Sequence, residues 1–405
     1  MAFIKWVNLL MIFHFFAATP IFSHSTSFTS KFLDLAKEPE VFDWMVDIRR
    51  KIHENPELGY EEFKTSELIR SELTKLGIPY KYPVAVTGVI GFIGTGSSPF
   101  VALRADIDAL PIQELLEWEH KSKVPGKMHA CAEEGLGGAK KVLDSGALEN
   151  VSAIFGLHVD PTLPIGEVTT RSGPLFAGCG LFEAIVSGKG GHAAMPQYSI
   201  DPIVAASNVV LSLQHLISRE TDPLDSKVLT LAKFRGGDAF NVIPDSVTIG
   251  GTFRGFSRES MMHLKQRIKQ VIIGQASVYR CNASVNFLDE EIPYIPPTFN
   301  SDELHKLFES VAGNMFGVNN VKSSELIMAS EDFASYQEAM PGYIFLLGIK
   351  NISDEHISVP HNPHFQVDED ALPYGAAIHA SLASNYLLKL HQDLPLVEEK
   401  YNDEL

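Results

Sequence analysis

Between residues 179 and 289 the chain switches hydrophobic period in a fixed order. Strand-like runs cover 181–186, 228–234, 246–253 and 283–287, and helical patterns cover 202–218 and 258–278. Read in sequence this is β-α-β-β-α-β, the order of a ferredoxin-like unit, and its length suits an inserted domain. Helical and strand patterns of another kind flank it on both sides. The larger domain is therefore expected to be discontinuous, interrupted by the smaller one.

Upstream, residues 42–76 are helical in pattern, with Trp44, Ile48, Ile52, Ile69, Leu73 and Leu76 at helix-like intervals. Asn55-Pro56-Glu57-Leu58-Gly59 divides the stretch into two helices, and Gly77 and Pro79 stop the second. Residues 84–93 and 99–104 read as strands, the latter running into Ala105-Asp106-Ile107-Asp108-Ala109-Leu110-Pro111. Ligands of open α/β sheets bind at the carboxyl ends of strands, so Asp106 and Asp108 are candidate site residues. A turn and a helix cap explain the same carboxylates equally well. Downstream of the insert, Pro293-Tyr294-Ile295-Pro296-Pro297 is a stiff linker, and patterns resume up to a terminal helix over 374–391. The expected fold is α/β: a larger domain formed by 42–178 and 291–391, with a ferredoxin-like satellite over 179–290.

Composition narrows the function. A chain of 405 residues, 45% hydrophobic and 20% charged, has enough apolar material for two cores without crosslinks. Its net charge of −17 repels phosphate backbones, so no nucleic-acid partner is expected. Cys131, Cys179 and Cys281 are widely spaced and odd in number, which excludes a disulfide framework and leaves at least one thiol unbridged. Residues 1–23 read as a secretory signal, with Lys5 ahead of an apolar run. The rival reading, a membrane anchor, is weakened by Asn8, His14, Thr19 and Pro20, so no span is expected after signal removal. Residues 402–405, Asn-Asp-Glu-Leu, resemble a receptor-read retention address of the endoplasmic reticulum. Sequons at Asn150, Asn282 and Asn351 agree with that lumen.

Metal-capable side chains gather beside Gly or Pro in Met128-His129-Ala130-Cys131, Ala132-Glu133-Glu134-Gly135, Gly156-Leu157-His158-Val159-Asp160 and Pro360-His361-Asn362-Pro363-His364. Thiolate, imidazole and carboxylate together suit zinc or manganese, and an open coordination position would activate water for hydrolysis. Glu133 and Glu134 are neighbours that an extended backbone points to opposite sides, which separates a base from a ligand. Taken singly, each cluster has a plain structural reading: a solvated face, a small buried thiol, a turn histidine. In the insert, Ser187-Gly188-Lys189-Gly190-Gly191-His192 lacks P-loop spacing and reads as a substrate-contacting loop. Asn241 and Arg254 place an amide and a guanidinium near strands of the same unit, and Arg is the natural partner of a substrate carboxylate.

In order, these motifs resemble the plant IAA-amino acid hydrolases, the auxin-conjugate branch of the metal-dependent aminoacylase/carboxypeptidase superfamily. Arg104 to Pro111, the His129–Cys131 motif, Ala-Glu-Glu-Gly, Gly-Leu-His-Val-Asp-Pro, Gly-Gly-His-Ala-Ala-Met-Pro, Ser-Glu-Asp-Phe and the His361 motif carry the likeness, over residues 42–388. The resemblance implies a discontinuous mixed-sheet, metallopeptidase-like catalytic domain holding a two-metal site, Mn2+ or Zn2+, with Cys131, Glu134, His158 and His361 as ligands. It implies Glu133 as general base and His192 as oxyanion stabiliser, acting on small-molecule N-acyl amino acids such as indole-3-acetic acid conjugates.

One departure stands out. In the family the Cys is followed by Gly-His-Asp, a helix and a strand before Ala-Glu-Glu-Gly, whereas here Cys131 joins Ala132 directly. The missing stretch amounts to roughly three dozen residues, about one helix and one strand, and it carries a further metal-ligating histidine. Its loss is expected to leave unpaired backbone and apolar surface, with reduced or absent activity and poor solubility. A catalytically inactive binding or dimerising variant of the same fold is the alternative, and a secreted structural module a more distant one.

Overall fold

The computed structural model describes residues 25–131, 137–350 and 360–393. Three helices open the chain: α1 (Ser25–Ala36), α2 (Pro39–Glu54) and α3 (Phe63–Lys75). Pro39 starts α2 where a missing N–H costs nothing, and α2 turns Val46 and His53 inward. The expected break falls between α2 and α3, and Gly77, at φ +68°, ends the second helix. Residues 84–93, expected as one strand, belong instead to a hairpin of β1 (Tyr80–Val84) and β2 (Gly88–Gly91). Ala85 has φ +57° in the turn, which two side chains of the α3 region pin. Thr87 Oγ1 donates to Glu62 Oε2 at 2.5 Å, and Ser66 Oγ donates to the Thr87 carbonyl. Period alone does not reveal such a turn, because Ala85 carries no glycine or proline signal.

The larger sheet begins with β3 (Phe100–Leu103) and continues, after α4 (Gly138–Asp144), with β4 (Val151–Pro164) and β5 (Val168–Thr170). The short β6 (Gly173–Pro174) leads to the insert. Its strands are β7 (Gly178–Ser187), β8 (Gly191–His192), β9 (Lys227–Arg235), β10 (Val242–Ile243), β11 (Ser246–Gly255) and β12 (Asn282–Asn286). Its helices are α5 (Pro202–His215) and α6 (Arg258–Val278). The larger domain then resumes with β13 (Phe299–Asn300), α7 (Asp302–Phe316), β14 (Val321–Ser323), α8 (Ala334–Ala339), β15 (Gly342–Lys350) and α9 (Leu372–Asp393). Among the described residues no helix is long and apolar enough to cross a membrane.

The main sheet has the order β14-β5-β15-β4-β3 and is mixed: β15 runs parallel to β4 and antiparallel to β5. β15 is the central strand, and all its residues but the last are buried, as an unbroken apolar run with helices on both sides should be. Phe155, Phe308, Tyr343, Phe345, Ile378 and Leu382 form the core against α7 and α9. Each such side chain contributes about 1.5–3 kcal/mol on burial.

The insert forms one antiparallel sheet of order β12-β7-β11-β9 backed by α5 and α6, the ferredoxin-like arrangement. Asp201 caps α5 by accepting from the Ile203 and Val204 amides, and Ser257 caps α6 by accepting from Ser260. Gly180 is required here, since a Cβ would sit 2.3 Å from the Phe253 ring. Where the insert meets the larger domain, the Cys179 and Ile295 backbones exchange hydrogen bonds of 2.9 and 3.0 Å. Entry and exit strands are thus tied together at one crossing point.

Candidate functional site

Two segments distant in sequence converge where β3 ends beside the middle of β4. Beyond β3, Leu110 and Met128 exchange backbone hydrogen bonds of 2.9 and 3.0 Å, and both side chains are buried. This bridge fixes residues 128–131 beside the loop that follows β3. Cys131 Sγ consequently lies 3.0 Å from Nε2 of His158, a residue of β4. The other ring nitrogen, Nδ1, is 2.8 Å from the Val159 carbonyl and donates to it. In the neutral ring that leaves Nε2 as the acceptor directed at sulfur, the orientation that second partners impose on metal-ligating imidazoles.

Sulfur and imidazole nitrogen at this separation fit a single transition-metal ion. No group of three or more His, Cys, Asp or Glu able to hold a metal is assembled among the described residues. A second ion therefore has no described ligand set. Glu133 and Glu134 lie outside the described residues. His361 is exposed in a turn at φ +65° and does not join Cys131 and His158 in such a group.

An ion cluster stands at the end of β3. Arg104, at the end of β3, places Nη2 3.1 Å from Asp106, 2.8 Å from Asp332 and 3.4 Å from Glu331. Glu331 is fully buried, and Asp332 also accepts from the Ala139 amide at 2.9 Å, holding the start of α4. Burial, then the Asp106 and Glu62 carboxylates, hold the Asp108 carboxyl above its usual range. Burial, with His53 and Arg49 nearby, lowers the His129 ring to about 4. Sequence reading flagged Asp106 and Asp108 but gave Arg104, Glu331 and Asp332 no role. The Ser-Glu-Asp-Phe motif was the available signal.

A second buried polar unit was not anticipated at all. Glu114, 1% exposed, accepts from Trp118 Nε1 at 2.8 Å and from the Ser122 amide at 2.7 Å, and lies 3.3 Å from His53 Nε2. Its only trace in the sequence is a histidine on the inward face of α2.

In the insert, His192 lies on β8 opposite Val242 of β10 and is exposed. Its Nδ1 accepts from the Ala194 amide at 3.1 Å, which places the proton of the neutral ring on the outward Nε2. Asn241, also exposed, accepts through its backbone carbonyl from Ala193 at 3.0 Å. Arg254 is half-buried in β11 and donates to the Met328 carbonyl at 2.9 Å, a contact across to the larger domain.

A mixed α/β sheet with a thiol–imidazole pair at mid-strand and a carboxylate cluster at a strand end, interrupted by a ferredoxin-like insert, defines a two-domain hydrolase architecture. The chain belongs to Peptidase family M20/M25/M40, whose sequence model matches residues 131–385. It is 56% identical to the IAA-amino acid hydrolase ILR1-like 4 of Arabidopsis thaliana, with 96% of this chain and 97% of the relative covered. That alignment extends over 426 positions, more than the 405 residues of this chain, so the relative carries sequence with no counterpart here. Among solved structures, an aminohydrolase from methicillin resistant Staphylococcus aureus superposes with a TM-score of 0.80 at 27% identity, covering 89% of this chain and 100% of that one. A dinuclear metal binding peptidase of the M20 family from Bacillus subtilis superposes with a TM-score of 0.74 at 30% identity, covering 87% and 99%.

Proposed function

We propose that this chain is a metal-dependent amidohydrolase for N-acyl amino acids, with conjugates of indole-3-acetic acid as its substrate class. The observation that carries the reading is the 3.0 Å approach of Cys131 Sγ to His158 Nε2 in a chain of the M20 family. The name of the Arabidopsis relative supports the substrate class. Cys131 and His158 would hold the ion, with Glu134 and His361 as the further ligands the resemblance implies; manganese is the proposed metal and zinc its alternative. Bound there, the ion supplies Lewis acidity toward the amide carbonyl. Glu133 is the proposed base that takes a proton from the attacking water. His192 presents its Nε2 proton outward, the atom needed to stabilise an oxyanion, while Asn241 and Arg254 would orient the substrate. The proposed compartment is the lumen of the endoplasmic reticulum, where Asn150 and Asn282, both exposed, are open to glycosylation.

Since the Cys131–Ala132 junction omits a ligand-bearing segment, turnover is expected to be low. The sequence that the Arabidopsis relative carries and this chain lacks favours a second reading, a binding-competent but inactive variant. Incubation of manganese-loaded protein with indole-3-acetyl-alanine, followed by chromatography of the released acid, decides between them. Turnover that disappears in His158→Ala supports the hydrolase. Saturable conjugate binding without turnover supports the inactive variant, and neither turnover nor binding overturns both.

A further inference from the structure

Strands β2 and β3 line the same cavity of about 800 Å3. Among the described residues β2 is laddered only to β1, and β3 only to β4, so each presents one open backbone edge. The sequences of these edges are Gly-Val-Ile-Gly and Phe-Val-Ala-Leu. An all-apolar strand of this kind is the composition of a strand buried on both faces, whereas edge strands ordinarily carry charged residues or Pro against pairing. Yet Leu103 is 45% exposed, and Phe92 and Ile93, which also line the cavity, are 47% and 72% exposed.

The lining is apolar along its length, with Ile69, Val89, Ile90, Val101 and Ile154, and acidic where β3 ends. Glu62, Asp106, Asp108 and Asp332 line that end, and Arg104 is the one basic residue among all those lining the cavity. We propose that the slot between β2 and β3 is a docking site for one extended peptide strand, apolar in its middle and carrying Lys or Arg at one end. The occupant's backbone joins the open ladders, its apolar side chains cover β2 and β3, and its cation lies among the carboxylates. A four-residue edge offers a ladder of about 13 Å, which suits an occupant of four to six residues. A second copy of this chain is the poorer occupant, because its β3 carries no cation and the Arg104 that follows is engaged by Asp106, Glu331 and Asp332.

The test uses the full chain and a fluorescein-labelled, N-acetylated and C-amidated hexapeptide, Thr-Val-Ile-Val-Thr-Lys. The expected result is saturable one-to-one binding by anisotropy, with amide-exchange protection gained at residues 88–91 and 100–103. Alternate N-methylation of the peptide should weaken binding at least tenfold, and Glu in place of its Lys at least fivefold. Leu103→Lys, a change at an exposed position whose folding is checked by circular dichroism, should also weaken it at least fivefold. Equal binding of the N-methylated peptide, protection confined to other segments, or no saturation at millimolar peptide overturns the proposal. Concentration-dependent protection of 100–103 without peptide also overturns it and assigns the edge to a second copy.

Discussion

Cys131 and His158 meet at 3.0 Å across 27 positions of sequence, and the Val159 carbonyl fixes which imidazole nitrogen faces the sulfur. Each lies in a metal-capable cluster of the sequence, but no local pattern says that the two clusters meet. What joins them is the backbone bridge between Leu110 and Met128, which delivers the Cys131 segment to the middle of β4. The pairing is therefore a product of sheet topology, and it has direct consequences for metal binding.

Cobalt is a useful probe of that pair, since a thiolate ligand gives an intense near-ultraviolet charge-transfer band. Adding Co2+ to the metal-free protein should produce the band, and Cys131→Ser should abolish it. Affinity should rise with pH, because the thiol must lose its proton to bind. His158→Ala should lower affinity by roughly 10- to 100-fold, measured by competition with a chelator. A band that survives in Cys131→Ser would remove the thiol from the site.

Arg104 serves three carboxylates, one of them fully buried. Replacing it by Met leaves those charges without their cation, and a cost of about 3 kcal/mol in urea unfolding is expected. Arg104→Lys should recover only part of it, since an ammonium lacks the planar fork that reaches several partners. Adding Glu331→Leu to Arg104→Met should restore stability, because the buried charge is then removed with its partner.

The satellite was legible in the sequence almost element by element: α6 begins and ends where the pattern does, at Arg258 and Val278, and the Ser257 cap marks its start. Strong period and unambiguous caps make such elements readable. The hairpin at Ala85 was not, because its turn depends on Glu62 and Ser66 of the α3 region rather than on local turn residues. Arg104 with Asp332, and His53 with Glu114, were invisible for a related reason: these pairs form across 228 and 61 positions, and no local spacing encodes them.

Asp108 gives the stability a pH dependence of predictable sign. Its carboxyl is raised in the folded state, chiefly by burial and then by Asp106, so between the ordinary carboxylate range and its raised value the native protein holds a proton that the unfolded chain has lost. This contribution is present at low pH and is lost as pH rises through that window. In metal-free protein, Asp108→Asn should therefore gain stability relative to wild type, and the gain should grow from pH 5 to pH 8. A difference independent of pH in urea titrations would contradict the assignment.

The Glu114 carboxylate gathers donors from Trp118 and Ser122 and sits against His53, all within a buried pocket. Glu114→Ala strands those groups without an acceptor, and each lost partner costs about 1–3 kcal/mol. Glu114→Gln keeps one acceptor oxygen and should cost markedly less.

The exposed edge of β3 makes a last prediction about the behaviour of the chain in solution. Phe100–Leu103 is apolar at every position, pairs on one side with β4, and carries none of the charges or prolines that keep natural edges apart. Such an edge captures apolar segments of chains that have not yet folded, so wild-type protein refolded from urea should scatter more light as its concentration rises. Leu103→Lys puts a cation on a side chain already 45% exposed, and should raise the soluble fraction without lowering the unfolding midpoint. An equivalent charge at Leu224, 94% exposed and remote in sequence from this edge, should leave aggregation unchanged. If both variants improve solubility alike, net charge rather than the open ladder governs association, and the edge loses its special standing.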